Sequence, residues 1–488
     1  YLTPTALKEE LTGMDKENHR NIRERVFWVA SGFGILLLFF ALLAPVYAFG
    51  QVEDHDDDTE RLLQVFGQVL EFVENNYVDE VDPDVLIEGA LEGLFESLDD
   101  PHSYYMTAEE MRDLSDTTQG EFGGVGMYIS KQVRPEDDDR AAFVEIVTPI
   151  DGTPADRAGM RSGDLILAID EESTEDLTID EVVSRLRGRP GTAVTISVRR
   201  GQGRPFPVTL YRDIIEVPTV RTAVIPGDIG YLRIIQFTPY TAERVDDAIT
   251  EFEESGYESM IIDLRRNPGG LLNGVIETAG LFFDGGLVVG TRGRNPRENE
   301  MFAANQGQEV PDDLPIVVLI DEGSASAAEI MAGAMKDRDR AVLIGETTYG
   351  KGSVQQVRRI GEGGFRLTMS RYYTPSGAYI DEVGVSPDRQ VSEPELSEEE
   401  VEDYATLIEE DSVSAFVNQH QNPTNREIER FVDELNAEGI ALPDRVLRKL
   451  IRDEVNRQND RDVVYDLEYD VVLQEAVRLL RSGEISRR

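Results

Sequence analysis

One uncharged stretch, Val26 to Phe49, places the strongest constraint on how this chain folds. It reads VFWVASGFGILLLFFALLAPVYAF and is long enough to cross about 30 Å of hydrocarbon as a helix. Three arginines, the last of them Arg25, precede it, and the acidic run EDHDDD follows it. The positive-inside rule predicts a cytoplasmic N-terminus over 1–25, a transmembrane anchor over 26–49 and a body on the periplasmic side of the inner membrane.

The end of this stretch leaves a second possibility open. The tripeptide VYA at 46–48 resembles a signal-peptidase site, and cleavage there releases the body from the membrane. The uncharged stretch is longer than the core of a usual signal peptide, which favours a retained anchor.

The charge balance excludes several classes of protein. There are 48 basic and 95 acidic residues, for a net charge of −47, and a surface of this sign does not neutralise nucleic-acid phosphates. The absence of cysteine excludes disulfides, thiolate catalysis and cysteine-ligated zinc. Lysine is rare among the basic residues. Because molar salt shortens the Debye length to roughly 3 Å and screens self-repulsion, the composition predicts a halophilic protein.

Changes in the hydrophobic pattern along the sequence divide the rest of the chain into segments. Apolar residues recur at spacings of three and four over 59–115, which predicts a helical region. Short alternating strands and glycine turns occupy 118–213, and apolar strands alternate with helical stretches over 214–392. The segment 399–488 is acidic and helical in pattern. The fold class predicted is therefore a multidomain α+β protein, with a membrane helix, a helical segment, a β-rich domain, an α/β core and a helical C-terminal extension.

The stretch GETTYGKGSVQ, which begins at Gly345, resembles a phosphate-binding loop. Such a loop requires Ser or Thr directly after the lysine and a helix after that. Gly352 follows Lys351, and the next residues read as a strand. Nucleotide binding is therefore disfavoured, and Lys351 remains as a candidate catalytic base.

A candidate nucleophile lies in DEGSASAAEIMAGAM, where a buried strand turns into a helix. A serine at such a turn is exposed and close to free backbone N–H groups; capping of the helix by Ser324 or Ser326 is the alternative. The histidines lie outside the α/β part, which disfavours a Ser-His-Asp triad. A buried lysine has a depressed pKa and can serve as the base instead, whereas arginine cannot deprotonate. The histidines are His19, His55, His102 and His420.

Four stretches together resemble the carboxyl-terminal processing (tail-specific) serine proteases, in family order. They are DLRRNPGG at 263–270, GSASAAEIMAGAM at 323–335, GETTYGKGSVQ at 345–355 and RYYTPSGAYIDEVGVSPD at 371–388. The resemblance covers roughly residues 60–390. It implies a protease core formed by 60–117 and 214–392.

The resemblance also implies roles for particular residues. The family nucleophile is the second serine of SASA, and the spacing to Lys351 selects Ser326 over Ser324. Lys351 is then the general base and Gln355 orients the pair, on the expectation that 351, 353 and 355 share one face of a strand. The N–H groups of Gly270 and Ala327 form the oxyanion hole. Asp263 and Glu329 are interpreted as structural, and the mechanism needs no cofactor or metal.

The β-rich segment resembles a PDZ domain through GEFGGVGMYIS and AGMRSGDLILAID. The loop Gly124, Val125, Gly126 and Met127 matches the site that holds a peptide carboxylate on successive N–H groups. The peptide then adds as a strand along the edge that starts at Met127. The expected partners are proteins with free, apolar C-termini.

These features predict a membrane-anchored serine endopeptidase with a Ser-Lys dyad that recognises protein C-termini through its PDZ domain. A catalytically inactive membrane-anchored PDZ scaffold is the alternative. An apolar stripe near the C-terminus either forms a homodimer or packs on the protease body. The stripe consists of Val472, Leu473, Ala476, Leu479 and Leu480.

Overall fold

The computed structural model describes residues 56–485, apart from 109, 112–113, 115–119, 132–142, 151, 202, 305–306, 362, 421, 460 and 462. The chain divides into two compact units, one ending at Gly93 and one beginning at Leu94. The predicted membrane segment, 26–49, lies outside the described residues. Across the ranges given above, no helix is both long and apolar enough to span a membrane.

Two helices begin the described chain, α1 (Asp56–Asn76) and α2 (Pro83–Glu96). Pro83 starts α2, where its missing N–H costs no hydrogen bond. The short strand β1 (Tyr104–Met106) follows. Thr107 and Glu110 then form a capping box: Thr107 N–H donates to Glu110 Oε2 at 2.8 Å, and Glu110 N–H donates to Thr107 Oγ1 at 3.2 Å. The region predicted as helical thus contains helices and also a strand.

The β-rich domain is built on one antiparallel sheet. Its elements are β2 (Glu121–Gly124), β3 (Met127–Ser130), β4 (Val144–Pro149), α3 (Pro154–Arg157), β5 (Leu165–Ile169), β6 (Glu172–Ser173), α4 (Ile179–Leu186), β7 (Ala193–Arg199), β8 (Phe206–Tyr211) and β9 (Asp213–Glu216). The strand order is β3-β4-β5-β7-β8; β6 pairs with β5, and β2 pairs with β9. Alternate residues of β7 are buried, as expected for a sheet with one face on a core. β3 lies at the edge of this sheet.

The α/β core contains a six-stranded sheet in the order β10-β11-β12-β15-β16-β19. Its elements are β10 (Val220–Ile225), β11 (Ile229–Ile234), α5 (Thr241–Ser255), β12 (Ser259–Asp263), α6 (Leu272–Gly280), β15 (Ile316–Ile320), α7 (Ala327–Asp337), β16 (Val342–Gly345) and β19 (Arg389–Gln390). All neighbours are parallel except β10 and β11. The central strands β12 and β15 are buried throughout, as parallel strands covered on both faces are.

A second sheet joins the short strand β1 to strands of the α/β core. Its strands are β1, β13 (Leu287–Gly293), β14 (Met301–Ala303), β17 (Ser353–Ile360) and β18 (Gly363–Tyr373). β18 pairs with β1, β13 and β17. The turn before β1 is thereby held next to β18, which is the partner of the strand that follows Lys351.

The C-terminal extension uses its helices in two ways. Four helices form a small core of their own: α8 (Glu398–Glu409), α9 (Ser412–Gln419), α10 (Asn425–Glu438) and α11 (Asp444–Gln458). The last helix, α12 (Val471–Ser482), packs on the face of the central sheet opposite α5, α6 and α7. Its apolar stripe covers Tyr231, Ile261 and Leu319, among others. Of the two uses predicted for this stripe, the structure shows packing on the protease body.

Candidate active site

Ser326 lies between the buried strand β15 and the helix α7. Its backbone angles are φ 54° and ψ −113°, a conformation that costs a non-glycine residue free energy and is typical of functional turns. Ser324 is fully buried, and its Oγ donates to the carbonyl oxygen of Leu264 at 2.8 Å. Ser326 is only partly buried. The local structure therefore assigns Ser324 to the scaffold and leaves Ser326 as the accessible hydroxyl.

The glycine turn after β12 lies against this serine. A Cβ on Gly269 would stand 2.7 Å from Ser326 Cβ and 2.9 Å from the nitrogen of Ala327, so a side chain does not fit there. Gly270 has φ 135°, which also requires glycine. Among the described residues, neither the N–H of Gly270 nor that of Ala327 has a hydrogen-bond partner. Two free donors thus belong to segments that meet at Ser326, as an oxyanion hole requires.

Glu329 connects the serine turn to the lysine loop. Its Oε2 accepts the N–H groups of Ser326 and Lys351, each at 2.8 Å. Its Oε1 accepts the N–H of Gly350 at 2.7 Å and the hydroxyl of Thr348 at 2.6 Å. Burial raises the pKa of the Glu329 carboxyl, and these hydrogen bonds oppose the rise. One buried carboxylate therefore holds both segments in register.

Lys351 is half-buried in the loop between β16 and β17. Burial lowers the pKa of its amine; the positive charge of Arg366 lowers it further, and the negative charge of Glu329 opposes both. Within the described chain, no hydrogen bond joins Lys351 Nζ to Ser326 Oγ. The structure thus brings the backbones of the two candidate residues to one carboxylate, and their described side chains share no hydrogen bond.

Among the described residues, no hydrogen bond joins Gln355 to Lys351. Its Nε2 donates to Ser353 Oγ at 2.7 Å and to Thr368 Oγ1 at 3.3 Å, and its Oε1 accepts Arg366 Nη2 at 2.9 Å. β17 begins only at Ser353, so the alternation expected for 351, 353 and 355 does not extend back to the lysine. A strand after Lys351, where a nucleotide loop requires a helix, also agrees with the sequence argument against a phosphate site.

His102 lies closer to the candidate site than its sequence position indicated. It belongs to the turn before β1, which pairs with β18. Burial lowers the pKa of its imidazole, and the nearby positive charge of Lys351 lowers it further. The histidine elimination treated the N-terminal part as remote, because pairing between β1 and β18 over such a separation leaves no local sequence signal.

The predicted carboxylate loop of the β-rich domain is built at the start of the edge strand. Gly126 has φ 75°, and its carbonyl oxygen accepts Thr153 Oγ1 at 2.8 Å and the N–H of Ile150 at 3.0 Å. Val125 is buried. The N–H groups of Val125 and Gly126 donate no hydrogen bond to any described residue. Gly124 ends β2 and Met127 begins β3, so the loop leads directly into the open edge.

Comparison with known proteins agrees with this division of the chain. The model of peptidase family S41 matches residues 228–391, that of the PDZ domain matches 145–200, and that of the activating protease CtpB N-terminal domain matches 46–110.

Full-length relatives extend these matches. A carboxy-terminal-processing protease of Bartonella bacilliformis is 40% identical over 379 residues, which cover 76% of this chain and 83% of that protein. The carboxy-terminal processing protease CtpA of Bacillus subtilis is 34% identical over 331 residues, 68% of this chain and 69% of the relative. Among solved structures, the photosystem II D1 C-terminal processing protease is 27% identical with a TM-score of 0.40, covering 67% of this chain and 92% of that one.

A family S41 domain beside a PDZ domain defines the class as a serine-type peptidase. The chain belongs to the carboxy-terminal processing proteases of peptidase family S41, of the CtpA-like kind with a PDZ domain. The family resemblance read from the four sequence stretches is confirmed.

Proposed function

We propose that this peptidase is a membrane-anchored endopeptidase in which Ser326 and Lys351 form the catalytic dyad and the PDZ domain selects protein C-termini. The observation that carries the proposal is the bridge by Glu329, whose Oε2 accepts the N–H groups of both residues. A carboxylate in this place holds the nucleophile turn and the base loop together. Such fixed geometry is what proximity catalysis requires.

The reaction follows from this arrangement. Ser326 Oγ attacks the peptide carbonyl carbon while Lys351 Nζ accepts the hydroxyl proton. The carbonyl oxygen becomes an oxyanion and accepts hydrogen bonds from the N–H groups of Gly270 and Ala327. Lys351 then gives its proton to the leaving amine, and a water molecule hydrolyses the acyl-enzyme by the same steps. Burial of Lys351, which lowers its pKa, increases the fraction of neutral amine available at the start.

The PDZ domain supplies the choice of tail. The free N–H groups of Val125 and Gly126 are suited to a terminal carboxylate, and the open edge of β3 is suited to the strand before it. A tail held there has its last residues fixed. We propose that this capture selects free, apolar C-termini and that cleavage then occurs near the tail.

The placement proposed for the enzyme follows from its sequence. The stretch at 26–49 is a membrane anchor, or a cleaved signal, with the catalytic body on the periplasmic side. The net charge of −47 supports work at high salt. Full folding and activity of the chain at low ionic strength would contradict the halophilic part of this proposal.

The test uses the full chain, in detergent and concentrated KCl, with a poorly folded protein that carries an apolar C-terminal tail. Fragments are identified by mass spectrometry for the parent, Ser326→Ala and Lys351→Ala. We expect cleavage by the parent only. Cleavage by the folded Ser326→Ala variant at the parent's rate would show that another residue is the nucleophile. Cleavage by Lys351→Ala at the parent's rate would show that Lys351 is not the base.

A further inference from the structure

Lys131 directly follows the edge strand β3 and is held by three backbone carbonyl groups. Its Nζ donates to the carbonyl oxygens of Thr174 at 2.8 Å, Glu175 at 2.6 Å and Leu177 at 2.5 Å. An ammonium group has three N–H donors, so the loop between β6 and α4 offers one acceptor for each of them. A single side chain thus attaches this loop to the end of β3.

The loop that Lys131 holds leads directly into α4. Leu177 is buried. The next residue, Thr178, caps the helix, because its Oγ1 accepts the N–H of Glu181 at 3.2 Å. The beginning of α4 is therefore attached to the end of β3.

The other end of α4 is attached to the residues before β3. The N–H of Gly188 donates to the carbonyl oxygen of Gly123 at 2.9 Å, and a Cβ on Gly123 would stand 2.2 Å from the carbonyl oxygen of Gly188. The guanidinium carbon of Arg187 lies 4.8 Å from the centre of the Phe122 ring. The helix α4 therefore runs in the direction opposite to β3 and is attached at both of its ends.

Apolar side chains lie between these two attachments. Met127 and Ile129 of β3 pack against the core of the domain and are only partly buried. From α4, Ile179 packs in the same way, and Val182 is buried in that core. Because β3 is the edge strand of its sheet, these side chains of a strand and a helix flank an open row of backbone groups.

We infer that Lys131 is a positioning residue of the peptide groove, which holds the beginning of α4 at a fixed distance from the far end of β3. This role rests on the proposed capture of tails by the PDZ domain. A groove that is ordered before the tail arrives binds it more tightly, because less conformational freedom is lost on binding.

The position of Lys131 makes its effect depend on the length of the tail. The predicted carboxylate loop lies at the start of β3, so a bound tail runs from its last residue toward Lys131. β3 has 4 residues, and a paired strand advances by a similar rise per residue. A tripeptide therefore ends short of Lys131, and a hexapeptide passes it.

The first experiment compares the full chain with Lys131→Met, which keeps an apolar side chain and removes the ammonium group. A tripeptide and a hexapeptide with the same apolar C-terminus displace a fluorescent tail in concentrated KCl, with the affinity of that tail measured for each variant. We expect the hexapeptide to bind about tenfold more weakly to Lys131→Met than to the parent. The tripeptide is expected to keep its affinity within about twofold.

Arg185→Met is the matched control. Arg185 lies on α4, and its Nη2 and Nε donate to the carboxylate of Glu172 at 2.8 and 3.2 Å. The control removes a cation and an attachment of the same helix, but the partner lies on β6 and not on β3. We expect both peptides to bind the control variant as they bind the parent.

A second measurement uses the space that Lys131→Ala leaves. Propylammonium has the three carbons and the ammonium group that this substitution removes, so it can donate to the same carbonyl oxygens. We expect propylammonium chloride to restore the affinity for the hexapeptide to within about threefold of the parent. Tetramethylammonium carries the same charge without N–H groups and is expected to have no effect.

Activity gives a third measurement. With a long apolar tail as substrate, we expect Lys131→Met to raise KM and leave kcat unchanged, because the residue acts on capture and not on the reacting groups. If Lys131→Met does not fold, Lys131→Gln, which keeps two N–H donors, is expected to show a smaller loss in the same direction.

Two results overturn the inference while the proposed capture stands. One is an unchanged affinity for the hexapeptide in a folded variant that lacks the ammonium group. The other is equal weakening of both peptides, which assigns Lys131 to the general stability of the domain. Failure of the proposed capture is seen before any substitution, since the parent then binds neither peptide, and it removes the role of Lys131 as well.

Discussion

Arg265 and Asp470 form a two-pronged ion pair between the core and the C-terminal extension. Arg265 Nη1 and Nη2 donate to the two carboxylate oxygens of Asp470 at 2.9 and 2.6 Å. Asp470 also caps α12 by accepting the N–H of Leu473 at 2.8 Å. Arg265 begins the turn that leads to Gly269 and Gly270. The last described helix is thereby connected to the segment that carries Gly270, a candidate oxyanion donor.

Replacement of Asp470 by Ala tests this connection. We expect the free energy of unfolding to fall by about 2–3 kcal/mol, because the helix loses its cap and Arg265 loses one of its two carboxylates. Denaturant titration measures the loss. Ser397→Ala is the control, since it removes the hydroxyl that caps α8 by accepting the N–H of Glu400, and this helix lies in the same extension without this ion pair. An equal loss of unfolding free energy in both variants would show that Asp470 contributes only as a helix cap and that its ion pair with Arg265 adds no stability.

Glu329→Gln tests the bridge between the serine turn and the lysine loop. The amide group offers one acceptor oxygen in place of two and brings N–H donors against the N–H groups of Ser326, Gly350 or Lys351. We expect a loss of kcat of about a hundredfold from misplacement of the reacting groups. Turnover is measured beside circular dichroism of the variant. A folded Glu329→Gln enzyme at parental speed would contradict the structural role assigned to this carboxylate.

The stability of the core is expected to fall in acid through Asp263. Burial raises the pKa of this carboxyl, but the charge and hydrogen bonds of Arg265 and the hydroxyl of Tyr231 outweigh burial, so the net shift is downward. A depressed folded pKa stabilises the fold above the unfolded value of roughly 3.9. That contribution is lost as pH falls from there through the folded pKa. Unfolding free energies of the parent and Asp263→Asn, measured from neutral pH downward, are expected to converge in this range.

Gly126→Ala tests the predicted carboxylate loop of the PDZ domain. The added Cβ would stand 2.3 Å from Thr153 Cβ, at a residue with φ 75°. We expect binding of a peptide with an apolar C-terminus to weaken by at least about tenfold, because the loop must shift to admit the methyl group. Fluorescence anisotropy of a labelled peptide measures the affinity.

Gly152→Ala is the control for that experiment. Gly152 has φ 71° in the same domain, and a Cβ there meets nothing within 4 Å. This variant carries the backbone strain without the clash. Equal weakening of peptide binding in both variants would show that strain alone, and not the packing of Gly126 against Thr153, controls the site.

The sequence sufficed for much of the architecture. The change from alternating strands to apolar strands with helices separated the β-rich domain from the α/β core, and a strand followed by a small-residue turn located Ser326. Its assignment over Ser324 came from family spacing and agrees with the burial of Ser324. These features are local, so composition and periodicity reveal them.

Other parts of the candidate site depend on contacts between distant segments. The Asp100–Ser103 turn reaches the site only because β1 pairs with β18. The sequence does not distinguish Arg366 from the other arginines. Its hydrogen bond to Gln355 is visible only in the structure. Lys351 lies before β17, which begins at Ser353. The expectation that residues 351, 353 and 355 share one face of a strand was therefore wrong. Periodicity within one segment carries no information on such pairings.

The shared carboxylate of Glu329 couples the serine turn to the lysine loop, both when the chain folds and when either segment opens locally. Because it accepts the N–H groups of Ser326, Gly350 and Lys351 together, opening of either segment breaks bonds of the other. The three amides should then exchange with deuterium as one cooperative unit. On the proposed roles of Ser326 and Lys351, we expect a newly made chain to be a poor peptidase toward its neighbours while the lysine loop is still unfolded.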